Sequence, residues 1–173
     1  RMRSLVNSFR KKIDRAQRKD LFTNTMFEGF PVQCCGIASR LLAEYLLNNE
    51  VETLWISAEE FGTHETHAWL VVKDDRIDSP HSCFDDVPNN IIGLLGKYDV
   101  GNSERIREST CYEEQNIKNG LIIDITGDQF DEAPVYVGYM DDFHKRFDFV
   151  EAFEHEGLPN DEYAELYEII ISQ

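Results

Sequence analysis

Positive charge is scarce in this chain: 17 Lys and Arg stand against 33 Asp and Glu, a formal net charge of −16. That balance excludes a general nucleic-acid binder, which needs cations to displace counterions from phosphates. Cysteine is sparse as well. Cys34, Cys35, Cys83 and Cys111 are the 4 thiols, two of them adjacent, and none forms a CxxC pair. Such spacing is neither a zinc ribbon nor the disulfide framework of a small secreted domain. No apolar run approaches the ~20 residues of a membrane span. No apolar stretch follows the basic residues at the N-terminus, as a signal peptide would require. Repeats and low-complexity tracts are lacking. The expectations are therefore no nucleic-acid and no membrane partner, and a reducing, cytoplasmic setting, with a secreted effector as the alternative.

What is present fits one domain over residues 1–173 with a core of its own. The few cations are concentrated at the start. Residues 1–20 hold Arg1, Arg3, Arg10, Lys11, Lys12, Arg15, Arg18 and Lys19 against Asp14 and Asp20, and the remainder is acidic. Leu5, Phe9, Ile13 and Ala16 recur at three- and four-residue spacing, which predicts a basic helix over 4–19 lying on the acidic body. The same helix is a candidate surface for a protein partner. Ala38, Leu41, Leu42, Tyr45 and Leu46 make a clearer apolar stripe and predict a helix over 35–48. Alternation predicts strands at 53–57, 66–73, 121–126 and 135–139, and the spacing of Tyr163, Leu166, Ile169 and Ile170 predicts a C-terminal helix over 161–172. Residues 79–119 read as an irregular insertion with one helix near 89–97, a candidate lid or partner surface. One helix followed mostly by strands with short links is an α+β arrangement on an antiparallel sheet.

Three residues stand out on these elements. Cys35 opens a helix, where the positive end of the dipole favours a thiolate. Cys35 is preferred to Cys34 because Gly36 and the apolar stripe follow it directly. His67 begins the strand Thr66-His67-Ala68-Trp69-Leu70, on the face of Trp69 and Val71. Asp124 interrupts the apolar run Leu121-Ile122-Ile123-Asp124-Ile125-Thr126, where a carboxylate is costly unless paired. A thiol, an imidazole to take and return its proton, and a carboxylate to orient the imidazole make a nucleophilic triad. Asp78, after the histidine strand, competes with Asp124 for the third place. Gln33, Gln129 and Trp69 are candidate oxyanion or substrate-binding residues, with the Cys35 amide the better oxyanion donor. His64-Glu65-Thr66-His67 is one residue short of the zinc-protease helix motif and sits where a strand is expected, so no metal and no other cofactor is expected. Taken singly, each residue has a bland reading: a small core thiol, a satisfied core histidine, a carboxylate on a structural Arg.

Together, Phe30-Pro31-Val32-Gln33-Cys34-Cys35-Gly36, Thr66-His67-Ala68-Trp69-Leu70 and Ile123-Asp124-Ile125-Thr126-Gly127-Asp128-Gln129-Phe130 resemble the transglutaminase-like branch of the papain-like cysteine enzymes. In that branch a Cys starts a helix, a His lies on a following strand and an Asp follows in an Asp-X-Thr context. The resemblance covers residues 28–140. It implies a papain-like core and thioester chemistry on a peptide or protein amide: hydrolysis by an amidase or protease first, glutamine deamidation or transglutamination as the alternative, in a toxin-like effector. The chain departs from the pattern in the ~45 residues between the histidine and aspartate strands. The remaining alternative is a non-catalytic protein-binding module with a structural cysteine.

Overall fold

The computed structural model describes residues 1–60, 62–73 and 117–173, the side chains of residues 149 and 150 excepted. The candidates Asp78, Cys83 and Cys111, the helix near 89–97, and the insertion up to residue 116 lie outside the described residues.

Helix α1 spans Met2–Arg18 and buries Phe9, Ile13 and Ala16 of the expected stripe, with Val6 fully buried at its start and Leu5 half-buried. Helix α2 spans Cys35–Leu47 and buries Ala38, Leu41, Leu42 and Leu46. Each such aliphatic side chain contributes about 1.5–3 kcal/mol over the exposed state. Strand β1 (Thr53–Glu60) leads by a short turn into β2 (Thr66–Val72). Three-residue strands β3 (Ile122–Asp124) and β4 (Tyr136–Gly138) follow, then β5 (Phe147–Glu154) and helix α3 (Asp161–Ile171). Asn160 caps α3 by accepting from the Tyr163 amide, and Asp161 and Glu162 complement its N-terminal dipole.

The strands form one antiparallel sheet in the order β4-β3-β2-β1-β5. The chain is thus an α+β structure. The three helices cover one face: their apolar stripes cluster with Leu70, Ile123 and Ile125. Alternation sends Leu54, Ile56, Trp69, Val71 and Ile122 to the other face, where Ile117, Phe143 and Phe147 cover them. The sheet is therefore buried on both sides, and a polar side chain on either inner face must find a partner within the protein.

Strand β1 runs on to Glu60, beyond the expected 53–57, and the last two expected strands are shorter than read. The strand expected over 121–126 ends at Asp124, because the Thr126 amide and hydroxyl both turn back to donate to Asp124 Oδ1, at 2.8 and 3.1 Å. Strand β5 was not anticipated at all. Its partner pairs Ser57↔Glu151 and Ala58↔Phe149 skip Val150, a bulge that breaks the two-residue alternation a strand is recognised by.

The basic helix lies on the body. Lys12 and Arg15 donate to the carbonyls of Ile171 and Gln173 at the end of α3, and Arg3 donates to the Val137 carbonyl. Arg10 is buried. It pairs with Asp14 and Asp128, donates to the carbonyls of Ile125 and Pro134, and stacks on Phe30. Among the described residues, no helix is long and apolar enough to cross a membrane.

Candidate active site

Cys35 is the first residue of α2, which has no side-chain cap and no acidic residue in its first turn. The positive end of the helix therefore faces the thiol without a competing anion. His67 follows the β1–β2 turn on the face of Trp69, and is fully buried. The register Leu70↔Ile123, continued by one residue, sets Asp124 opposite Trp69 and diagonal to His67. Asp124 is 2 % exposed and accepts a 2.9 Å hydrogen bond from His67 Nε2 through Oδ2. With Nε2 so committed, Nδ1 is the ring nitrogen left for other partners, and the Gln129 side-chain amide lies 3.3 Å from it. The half-buried Cys35 thiol interacts with His67, with the Ala68 backbone amide and with Gln129. The structure thus brings Cys35, His67 and Asp124 together in that order, with Gln129 beside the thiol and the imidazole.

The electrostatics follow from these contacts. Burial pushes the Cys35 thiol up, but the hydrogen bond and charge of His67, the Ala68 amide and Gln129 outweigh it and hold the thiol below its ordinary value. Burial pushes His67 down, but Asp124 and the Cys35 thiolate outweigh it and raise it from 6.5 to about 9. For Asp124, burial is outweighed by His144, by His67 and by the Thr126 amide, which hold the carboxyl well below the usual range. The two shifts run in the same sense, each charge favouring the other: a thiolate on Cys35 against an imidazolium on His67. The neighbouring thiol is the opposite case. Cys34 is buried, and burial together with the charge of Cys35 pushes it up to about 11. A thiol in that state is a poor nucleophile at neutral pH.

Cys35 opens onto a cleft of about 520 Å³. Val32 and Gln33 line one side, His64 to Thr66 another, and Gln129 and Phe130 a third. Gln33 has a left-handed backbone, φ 58°, immediately before the cysteine pair. Gln129 lies in the 3-10 turn Gly127–Phe130, which Arg10 holds through Asp128. Gly127 is required there, since a Cβ would stand 2.5 Å from the Ala133 carbonyl oxygen. Trp69 does not line the cleft. Strand alternation turns it into the core, where its ring packs on His67 and Phe147. There it stands against the imidazole, with 5.5 Å between the ring centroids. His64, the first histidine of the near-miss zinc motif, is exposed and paired with Glu59.

Sequence reasoning missed His144 and Asp141. His144 lies in the second apolar cluster, 1 % exposed, with Nε2 3.6 Å from Asp124 Oδ2 and Nδ1 2.7 Å from Asp141 Oδ1. An Asp three residues before a His is an ordinary turn signal, and nothing local announces that the ring meets Asp124. His67, Asp124 and His144 are the one cluster of ligand-type side chains among the described residues.

Compared with known proteins, the chain matches no family model, no curated protein and no solved structure.

Proposed function

We propose that this protein is a cysteine-dependent acyl-transfer enzyme with a papain-like, transglutaminase-like core, acting on a peptide or protein amide through a thioester. The observation that carries this reading is the half-buried Cys35 thiol at an uncapped helix start, facing an imidazole whose far nitrogen is bonded to a buried carboxylate. In the first step the Cys35 thiolate attacks the amide carbon. The new oxyanion lies toward the free backbone amide of Cys35 and the Gln129 side chain. The C–N bond breaks, and the His67 imidazolium gives its proton to the leaving amine. Asp124 keeps the imidazole in one orientation throughout. Water then attacks the thioester, His67 takes the water's proton, the C–S bond breaks, and the acid leaves with the ion pair restored. The cleft leaves room beside Cys35 for an acyl acceptor, and with water in that role the chemistry is that of an amidase or protease.

Iodoacetamide alkylation, read by mass spectrometry at pH 6–8, tests the reading. Cys35 should react at least tenfold faster than a free thiol at pH 6, where an ordinary thiol is almost wholly protonated. Cys34→Ala should keep that reactivity and Cys35→Ala should remove it. Selective alkylation of Cys34, or equal sluggishness of both thiols, would sink the enzyme reading and favour a binding module with structural cysteines.

A further inference from the structure

His144 is a polar ring at a place where the packing asks for an apolar one. It sits among Trp69, Tyr136 and Phe143, with ring centroids 4.9–5.1 Å away. Burying an imidazole there is costly unless both ring nitrogens are used. Nδ1 is used. It meets Asp141 Oδ1 at 2.7 Å, and the same oxygen also accepts from the His144 backbone amide at 2.9 Å, so the turn fixes the ring's orientation. Nε2 is buried with no hydrogen-bond partner and points at Asp124 Oδ2, 3.6 Å away. A neutral ring donates through one nitrogen only. Whichever nitrogen lacked the proton would turn a lone pair on a carboxylate. The ring state that suits both carboxylates has a proton on each nitrogen.

The same Asp124 oxygen already accepts from His67, so two imidazoles share one carboxylate oxygen. Asp124 does not need His144 to hold its orientation, because Thr126 secures the other oxygen with two hydrogen bonds. What a ring carrying a proton on each nitrogen would add there is charge. Its ring centroid is 6.3 Å from that of His67. The titratable groups facing His144 are Asp141 on its own turn, Asp124 on β3, His67 on β2 and Tyr136 on β4. Arg146, two residues on, is turned away onto Glu60 of β1. A cation beside Asp124 takes part of the field that would otherwise bind the proton on His67. This matters for turnover, since an imidazolium that holds its proton too firmly is a poor acid toward a leaving amine.

We propose that His144, charged and held by Asp141, is a positioning residue that shares Asp124 with His67 and so limits how tightly His67 keeps its proton. The proposal rests on the role assigned to His67 under the enzyme reading, but it is measured without substrate. The readout is the titration of the His67 ring by proton–carbon NMR on the full chain, in wild type, His144→Phe and Asp141→Asn. His144→Phe removes the charge and suits the aromatic surroundings. Asp141→Asn keeps the ring and removes the anion that holds its charge, at a residue on the surface side of the turn, so that one informative variant survives if the other fails to fold. Both should raise the His67 midpoint by roughly one pH unit, a tenfold gain in proton affinity. Nitrogen-15 shifts of wild-type His144 at pH 6.5 should show both ring nitrogens protonated. An unchanged or lowered His67 midpoint in the folded variants, a neutral His144 ring, or stoichiometric capture of Zn²⁺ at Nε2 would overturn it. Failure of the enzyme reading is seen separately, as an unreactive wild-type Cys35 with the His67 midpoint still responding to both variants.

Discussion

Replacing Asp124 by Asn tests the centre of the arrangement, because it removes one charge and almost no volume. His67 stands at about 9 against an ordinary 6.5, a difference worth roughly 3 kcal/mol in favour of the imidazolium. That net gain survives a burial cost that acts the other way, so the anions contribute more than the net figure. Asn can keep the two Thr126 hydrogen bonds to its oxygen but offers His67 no charge. His67 should then titrate at or below 6.5. At pH 7 the imidazolium that stabilises the Cys35 thiolate would be mostly lost, and alkylation by iodoacetamide should slow by about a hundredfold, the rate equivalent of roughly 3 kcal/mol. Stability should follow the same linkage. His67 titrates higher in the folded than in the unfolded chain, so its contribution is complete below about pH 6.5 and disappears as the pH rises through about 9. Asp124 titrates lower in the folded chain, so its contribution is present above 3.8 and is lost as the pH falls through its native value. Urea unfolding of wild type and Asp124→Asn should therefore differ most between about pH 5 and 6.5, and the difference should narrow as the pH rises through about 9. A variant whose His67 still titrates near 9, or whose Cys35 reacts within twofold of wild type at pH 7, would refute the assignment of Asp124 and return attention to Asp78.

Two further outcomes follow from the supports of the site. Gln129→Ala should leave thermal unfolding within a few degrees of wild type, since the side chain borders the cleft, while Cys35 alkylation at pH 6 slows and turnover of any amide substrate falls by ~10²-fold or more, the usual cost of losing an oxyanion donor; full activity in this variant would remove Gln129 from the site. Arg10→Met should destabilise the chain by about 3–5 kcal/mol in urea, because it leaves Asp128 and the carbonyls of Ile125 and Pro134 without their buried donor, and a loss under 1 kcal/mol would show that water replaces the guanidinium.

Much of this was legible in the chain and some was not. Periodicity alone placed α1, α2 and α3 within two residues of where they lie, because a helix that packs on one side must repeat its apolar residues every three to four positions. Alternation likewise placed β1 and β2, although β1 runs on to Glu60. Cys35 at a helix start, His67 on a strand and Asp124 in an apolar run were each conspicuous because each breaks a local rule. Strand β5 escaped because its bulge at Val150 destroys the pattern, and only the pairing with β1 makes it a strand.

What tertiary structure decided was contact between distant groups. The order of strands puts β3 beside β2, and their register brings Asp124 within 2.9 Å of a ring 57 residues away. The same folding turned Trp69 into the core and delivered His144 to the far side of Asp124. Local propensity is written in neighbouring residues, so sequence alone determined the three helices, the strands with clean alternation and which residues are out of place in them. Which of those misfits meet depends on strand order and register, and these are settled only when both faces of the sheet are buried at once.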